Sequence, residues 1–385
     1  MVLVHAPDRC QRCGGELVDA GVVGAEVRQV HDLPQLGLLV TEHRAERRRH
    51  GFGTVTAATF PDGVRAPACY GLGVRAAVAY LHGQQHLPVQ RTAQALADLV
   101  GAEVAAGTVA AILGECAEGL DGFIQAVRWQ LARAPVAHFD ETGVRVAGRL
   151  HWLHAAGTDR LSLFSVHPKR GRQAMDQAGV LPGFQGVAVH DGWSSYAHYQ
   201  QATHARCNAH HLRELAGWPP CRASRTGPPA WRAADRGQVG GRAGRGRRSR
   251  PAGPPAPGPL PRPLPGDRRE GWRANPAATR PCGRGGRRRR SQAANLLARL
   301  DDHREQVLRF ATDFRVPFDN NQAERDIMAK LQQKISGSWR TLAGAQRFCR
   351  LRSYISTARK QQVGVLGALR RVFEGDPWLP AAADP

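Results

Sequence analysis

Three stretches between residues 73 and 120 repeat apolar residues at the spacing of amphipathic helices. Pro88 begins the second stretch and Gly101 separates it from the third, as expected for the start and the end of a helix. The pattern predicts a helix-turn-helix-like unit or, alternatively, an ordinary packing unit of three helices. The apolar residues that set the pattern are Val78, Leu81, Leu96, Leu99, Val100, Val109, Ile112 and Leu113.

From residue 136 onwards, apolar and polar residues alternate with the period of β-strands. A strand, a turn at Gly148 and a return strand form a predicted hairpin. A third strand at 161–166, a connecting helix at 169–178 and a buried strand at 187–191 follow. This order of elements is that of a ribonuclease H-like α/β domain.

Helical periodicity returns at 291–314, and a further helix is predicted to start near Asn321, because Asn is favoured at helix starts. Glu324, Ile327 and Leu331 then lie at positions i, i+3 and i+7, which places the carboxylate on the apolar face, towards the sheet. The alternative is that Glu324 is the acid of a capping box with Asn321.

The composition changes sharply between these two halves. Residues 219–268 contain 12 Pro, 9 Gly, 11 Arg and 7 Ala, and lack Ile, Phe, Tyr, Met, Lys and His. We expect this stretch to be disordered, because it has too little apolar surface to offset its chain entropy. Residues 219–290 hold 19 Arg against three acids, a net +16 of the total +22. The high net charge is therefore local and is no proof of nucleic-acid binding.

Three acidic residues are candidates for one site. Asp140 ends an apolar run in PVAHFDETG, Asp191 ends the run GVAVHD, and Glu324 lies in FDNNQAERD. Strand alternation puts Asp140 and Glu141 on opposite faces, so only one of the two is expected to enter a given site. Acids at the ends of two strands, joined by one on a helix, suit a phosphoryl-transfer site that holds two cations about 4 Å apart. The alternative is that Asp140 and Glu141 only cap the end of a strand.

Eight blocks of sequence carry a more specific signal than these acids alone. They are HFDETGVRVAGRLHWLHAAGT, HPKRGRQAM, LPGFQGVAVHDGWSSY, HARCNAHHLREL, NLLARLDDHREQVLRF, VPFDNNQAERDI, KLQQKISG and FCRLRSYISTARKQ. In this order they resemble the transposases of the insertion sequence 66 family, which are DDE-type enzymes. The resemblance covers most of residues 1–215 and 269–373. It implies that Asp140, Asp191 and Glu324 are catalytic and bind two Mg²⁺ or Mn²⁺ ions.

The resemblance also implies DNA contacts outside the acids. Arg91 and Gln94 in the helix-turn-helix-like unit would contact the terminal DNA of the element. Cys207, His210 and His211 are expected to serve the structure or to face DNA rather than to bind zinc. Further basic residues would contact phosphates, or else form a solvated face. These are Lys330, Lys334, Arg340, Arg359 and Lys360.

Near the N-terminus, CQRCGG places Cys10 and Cys13 at the spacing of half a zinc site. The resemblance implies a second cysteine pair where this chain reads RHGFG. His50 remains a candidate ligand there, whereas Phe52 cannot ligate. The alternatives are a degenerate zinc-ribbon-like segment with a structural Zn²⁺ ion, or two surface thiols. The eight cysteines are expected to be free thiols, since their spacing shows no disulfide framework.

The expected organisation combines these regions. It comprises a degenerate zinc-binding segment at 1–65, a helical DNA-binding domain at 70–130, a ribonuclease H-like catalytic domain at 131–218 and 291–373, an insertion at 219–290 and a tail at 374–385.

The resemblance stops after residue 215 and resumes near 270, and a residue usual in the family is missing after Ile327, which would rotate the rest of a helix by about 100°. GC-rich DNA read in a shifted frame yields Arg, Pro, Gly and Ala. We hypothesise two compensating frameshifts in a degenerate copy that is short at its N-terminus.

Together these features predict a metal-dependent DNA transposase, impaired in this copy, that cleaves and joins strands to move an insertion sequence. Its partners would be the terminal repeats and target DNA, further copies of itself in a homo-oligomer, and accessory proteins. We expect a cytoplasmic location, because no apolar run is long enough for a membrane span and no signal peptide is apparent. The alternatives are a non-catalytic DNA-binding remnant and another ribonuclease H-like metal nuclease, which would cut without joining.

Overall fold

The computed structural model describes residues 2–33, 36–216, 291–327 and 335–381. Within them the strands are β1 (Arg47–Arg49), β2 (Val55–Ala57), β3 (Val136–Val146), β4 (Arg149–Gly157), β5 (Ser162–His167), β6 (Val187–His190) and β7 (Thr203–Arg206). The helices are α1 (Leu72–Gly83), α2 (Val89–Val100), α3 (Ala106–Glu118), α4 (Asp121–Ala132), α5 (Arg172–Ala178), α6 (Asn208–Ala216), α7 (Gln292–Asp302), α8 (Arg304–Thr312), α9 (Asn321–Asp326), α10 (Leu342–Lys360) and α11 (Val365–Phe373).

Strands β3 to β7 form one mixed sheet in the order β5-β4-β3-β6-β7. Strand β4 is antiparallel to β3 and β5, whereas β6 is parallel to β3 and β7. Ala147 and Gly148 form the hairpin turn with φ values of 48° and 75°, the left-handed conformation that a two-residue turn needs. The predicted hairpin, third strand, helix and buried strand are all present, and the mixed α/β class is confirmed.

The helices before the sheet begin and end where the sequence predicts. Pro88 is the N-cap of α2, and Gly101 ends that helix in the left-handed conformation, with φ of 68°. However, these helices have no separate core. One buried cluster joins α1, α4, β3, α10 and α11 through Val78, Phe123, Ala137, Tyr354 and Leu369. The predicted DNA-binding domain at 70–130 therefore packs as part of the same body as the sheet.

Helix α10 covers the exposed edge of the sheet at β5. Ser353 Oγ accepts a hydrogen bond from the Phe164 N–H at 2.8 Å, and Thr357 Oγ1 accepts one from the Ser162 N–H at 3.1 Å. Thr357 also donates to the Ser162 carbonyl at 3.2 Å. These side chains satisfy backbone groups that an edge strand would otherwise leave to solvent or to another chain.

The predicted helical face with Glu324, Ile327 and Leu331 is not confirmed, and the predicted disordered stretch is not described by the structure. Helix α9 ends at Asp326, and Ile327 has a non-helical ψ of 85°, so the predicted helical face does not extend to Ile327. Leu331 and residues 219–268 lie outside the described residues. No helix in the described part of the chain is long and apolar enough to cross a membrane.

Candidate active site

Two of the predicted acids lie at one edge of the sheet. Asp140 is in β3, and Asp191 directly follows β6, the parallel neighbour of β3. His138 is paired with Val189, so extending this register by two residues places Asp140 opposite Asp191. Asp140 lies inside β3, which continues to Val146, whereas β6 ends at His190. Because residues opposite each other on neighbouring parallel strands point to the same face, the sheet can still present both carboxylates to one ligand.

Asn320, the residue before α9, connects the third acid to this edge. Its side-chain Nδ2 donates to the Phe139 carbonyl at 2.9 Å, and its Oδ1 lies 2.7 Å from His138 Nδ1. Its backbone N–H donates to Cys207 Sγ at 3.1 Å. Asn320 is 1% exposed, and its buried hydrogen bonds fix the start of the helix that carries Glu324.

The Glu324 carboxylate faces two basic side chains. Arg213 Nη2 donates to Glu324 Oε1 at 2.7 Å, and His210 Nε2 lies 3.6 Å from the same oxygen. The side chain of the N-cap residue Asn320 makes no capping hydrogen bond, and Asp319 Oδ1 accepts the Asn321 N–H at 3.0 Å, so the capping-box alternative is not realised. Glu324 instead lies between α6 and the sheet edge.

Electrostatic interactions link the three acids. The pKa of Asp140 is raised from 3.8 to about 7, first by burial and then by the charges of Glu141, Asp191 and Glu324. The Glu141 N–H partly opposes this rise by donating a hydrogen bond to Asp140 Oδ1 at 2.9 Å. Within the described residues, Arg170 and Arg213 form ion pairs with the neighbouring acids but no basic side chain pairs with Asp140. Asp140 is thus influenced by the charges of both other predicted acids. Among the residues that the structure describes, however, Asp140, Asp191 and Glu324 do not form a group whose ligand atoms all lie within 4.8 Å of one another, so their joint site remains a prediction.

Glu141 makes buried contacts beside the candidate site that the sequence did not indicate. Its side chain is 1% exposed, accepts a hydrogen bond from the Tyr196 hydroxyl at 2.6 Å, and accepts another from Arg170 Nε at 2.9 Å. Arg170 also lies 3.5 Å from Asp191 Oδ2. Arg170 therefore links Glu141 to Asp191, while the expectation that only one of Asp140 and Glu141 enters a given site stays a prediction.

Two tryptophans hold Arg170 in place. Its guanidinium carbon lies 4.1 Å from the ring centre of Trp193 and 4.8 Å from that of Trp152, both within the range of cation–π attraction. The motif HPKRGRQAM drew attention to this region, but no spacing in the sequence indicates that its Arg170 contacts two acids from different strands.

A family model described as the transposase IS66 family matches residues 68–222 and 278–347, more than half of the chain. The chain belongs to the IS66 transposase family. The match includes Asp140, Asp191 and Glu324 and leaves residues 223–277 uncovered. No curated protein matches the chain.

Some of the side chains predicted to contact DNA are free to do so in this member of the IS66 family. Arg91 and Gln94 are exposed on α2, and Arg340 and Arg359 are also exposed. These four residues remain predicted DNA contacts. Lys330 and Lys334, which were also predicted to contact phosphate, lie outside the described residues.

Lys360 has a structural role in place of the predicted phosphate contact. Its ammonium donates to the carbonyls of Thr158 at 2.7 Å and Leu161 at 3.0 Å, and it forms an ion pair with Asp326. Burial lowers the pKa of Lys360. The predicted contact was wrong because this cation ties the end of α10 to the β4–β5 connection.

The predicted zinc ligands near the N-terminus are not gathered. Among the residues that the structure describes, Cys10, Cys13 and His50 do not form a group that could hold one ion. Cys13 is exposed, and the His50 ring stacks on Phe52 with 5.0 Å between ring centres. The alternative of two surface thiols fits this arrangement better.

A different group of metal-ligand side chains does come together in the IS66 family member. One ligand atom from each of Cys207, His210 and Glu324 lies within 4.8 Å of the others. From the sequence, Cys207 and His210 were expected to serve the structure or to face DNA. The group was not predicted because Glu324 lies more than a hundred residues further along the chain.

Proposed function

We propose that this chain is a metal-dependent DNA transposase in which Asp140, Asp191 and Glu324 are the catalytic carboxylates. Membership of the IS66 family supports a transposase-type function. The observation that carries the site assignment is the register of β3 and β6, which places Asp140 opposite Asp191, and the charges of Asp191 and Glu324 contribute to the raised pKa of Asp140. We further propose that the mixed sheet is of the ribonuclease H-like type, since its order of elements fits that architecture.

The donor set fits hard divalent cations. Asp140, Asp191 and Glu324 offer carboxylate oxygens, the ligands that Mg²⁺ and Mn²⁺ prefer. The charge surplus around Asp140 supports the same fit, because a bound cation would relieve the repulsion that now favours the protonated acid. Two divalent cations held there would supply Lewis acidity at the phosphodiester and activation of the attacking hydroxyl or water.

The protein's own groups position these carboxylates. Asp140 and Asp191 are positioned by the neighbouring strands β3 and β6, and Arg170 lies 3.5 Å from Asp191 Oδ2. Asn320 fixes the helix of Glu324 to β3. Arg213 now neutralises Glu324, so its side chain, 59% exposed, must release that carboxylate when a cation binds.

DNA is the proposed partner, as the family implies. We propose Arg91 and Gln94 on α2, together with Arg340 and Arg359, as contacts to the terminal or target DNA, and a homo-oligomer assisted by accessory proteins as the active form. Phosphate contacts of this kind predict binding that weakens steeply as salt increases.

A single-turnover assay on DNA that carries both ends of the element tests the proposal. With Mg²⁺ or Mn²⁺ we expect cleavage and joining, and we expect Asp140→Asn, Asp191→Asn and Glu324→Gln each to lower the rate by about 100-fold or more. Asp159→Asn, in the exposed β4–β5 connection, is the matched control and should react like the unchanged chain. Cleavage that survives in all three variants would refute the site assignment.

A second candidate function is a DNA-binding remnant without catalysis. The observation that favours it is the stretch 223–277, which the family model leaves uncovered between Asp191 and Glu324. Binding without cleavage in the same assay would support the remnant. Cleavage without joining would instead support a metal nuclease.

A further inference from the structure

Cys207, His210 and Glu324 form a group of mixed donors beside the candidate active site. Cys207 directly follows β7, His210 lies in the first turn of α6, and Glu324 lies on α9. One ligand atom from each residue lies within 4.8 Å of the other two. The chain therefore brings a thiol, an imidazole and a carboxylate together from three elements.

The separations are close to those of a tetrahedral metal site. With metal–ligand distances of roughly 2.0–2.3 Å, the ligand atoms of such a site lie about 3.3–3.7 Å apart. His210 Nε2 and Glu324 Oε1 are already 3.6 Å apart. The widest separation needs to shrink by only about 1 Å, which is within the reach of side-chain rotation.

The surroundings of the group favour a bound cation. In the part of the chain that the structure describes, Nδ1 of the His210 ring is buried without a hydrogen-bond partner and Nε2 lies 3.6 Å from Glu324 Oε1, so no hydrogen bond to the ring has to break for a metal ion to bind. Cys207 is fully buried and its sulfur accepts the Asn320 N–H at 3.1 Å. A hydrogen bond of this kind stabilises a thiolate ligand.

We propose that Cys207, His210 and Glu324 bind a borderline transition-metal ion, Zn²⁺ above all, at a site that adjoins the carboxylate cluster and shares Glu324 with it. Thiolate and imidazole donors select Zn²⁺ over Mg²⁺ or Ca²⁺. A thiolate and a carboxylate balance the two charges of the ion, and a water molecule would complete four ligands. The site itself does not depend on the proposed DNA reaction.

Arg213 competes with this ion for the Glu324 carboxylate. Its guanidinium donates to Glu324 Oε1 at 2.7 Å, and its side chain is 59% exposed. It can therefore swing into solvent when Glu324 turns towards a cation. Removing the guanidinium should strengthen metal binding, whereas a purely structural contact between Arg213 and Glu324 would predict no gain.

Cobalt titration of the full chain tests the site without any DNA. Co²⁺ reports a thiolate ligand through a charge-transfer band and tetrahedral geometry through intense ligand-field bands. The chain should first carry Cys10→Ser and Cys13→Ser, so that the N-terminal thiols cannot contribute. We expect one Co²⁺ ion per chain with a charge-transfer band, and displacement of that ion by stoichiometric Zn²⁺ but not by millimolar Mg²⁺.

Four variants in this background decide which residues are ligands. Cys207→Ser should abolish the charge-transfer band, while Cys116→Ala, which changes a buried thiol in α3, should retain it. Glu324→Gln should weaken Co²⁺ binding by about tenfold or more. Arg213→Gln should tighten it by up to about fivefold, the most that an exposed ion pair is worth.

Two outcomes would overturn the proposal. One is the lack of a charge-transfer band in the Cys10→Ser, Cys13→Ser chain. The other is a band that persists in Cys207→Ser while circular dichroism shows that the variant is folded. If Cys207→Ser does not fold, the opposite shifts of Glu324→Gln and Arg213→Gln still test the site, and equal affinities for both variants would refute it. Loss of strand cleavage in the DNA assay alone would leave these binding results unchanged.

Discussion

Replacing Asp140 by Asn is expected to stabilise the folded protein at alkaline pH, although it removes a candidate catalytic group. The two side chains are nearly the same size, and the Asn side-chain oxygen can still accept the hydrogen bond that the Glu141 N–H donates at 2.9 Å. The substitution therefore removes mainly a buried charge that lies among other negative charges.

The size of the effect follows from the pKa of Asp140, which folding raises from 3.8 to about 7. A tenfold change in proton affinity is worth about 1.4 kcal/mol, so ionised Asp140 costs the folded state at most about 4 kcal/mol. Partial exposure to solvent reduces this ceiling, and we expect a gain of about 1–3 kcal/mol.

Proton linkage fixes the direction in which the stability of the folded chain changes with pH. Between pH 4 and 7 the folded chain retains a proton on Asp140 that the unfolded chain has released, so raising the pH through this window lowers the stability. The advantage of Asp140→Asn should therefore be complete above pH 7 and should disappear towards pH 4.

Urea unfolding without divalent cations, measured from pH 5 to pH 8, checks this expectation. Asp159→Asn, in the exposed β4–β5 connection, is the control and should show no comparable gain. Adding Mg²⁺ at pH 8 should stabilise the unchanged chain more than Asp140→Asn, because the ion binds the folded state through that carboxylate. An Asn variant that is equally or less stable than the unchanged chain at pH 8 would contradict the burial of a charged Asp140.

Three further substitutions and one nucleotide sequence test the roles of other residues and the frameshift hypothesis. Glu141→Gln should weaken the hold on Arg170 and lower the cleavage rate by about 10- to 100-fold, with DNA affinity by filter binding unchanged. Asn320→Ala should cost about 2–4 kcal/mol in urea unfolding, since it leaves buried partners unsatisfied on β3. Thr357→Val should cost about 1–3 kcal/mol by the same measurement, because the edge of β5 loses its partner, whereas unchanged stability would refute that role. The nucleotides of codons 215–270, translated in all three frames, should show family-like helical sequence in a shifted frame, and its absence would end the frameshift hypothesis.

Local signals in the sequence were sufficient for the order of the elements. Pro88 and Gly101 bound α2 because their backbone preferences act without help from distant residues. The period-two pattern and Gly148 likewise predicted the β3–β4 hairpin. The candidate acids Asp140 and Asp191 followed from two apolar runs that each end in an acid, although Asp140 lies inside β3 and only Asp191 directly follows a strand.

Contacts between distant residues were beyond the reach of these signals. A pattern of spacing cannot show that Asn320 serves β3 in preference to capping its own helix, since both roles use the same amide. It also cannot show that Lys360 is buried against two carbonyls, because basic residues on a helix are usually solvated. In both cases tertiary hydrogen bonds determine what the side chain does.

The hydrogen bonds at the start of α9 argue against one explanation for an impaired copy. On the frameshift hypothesis the chain lacks the family's own sequence between Asp191 and Glu324, which would deprive the third acid of any support from that stretch. The contacts that hold the start of α9 come instead from Phe139, His138 and Cys207, all of them within the part of the chain that matches the family. Glu324 therefore has a brace that is independent of residues 223–277. Its carboxylate is nevertheless neutralised by Arg213 at 2.7 Å, so any loss of activity at this acid is better explained by competition for the carboxylate than by a displaced helix.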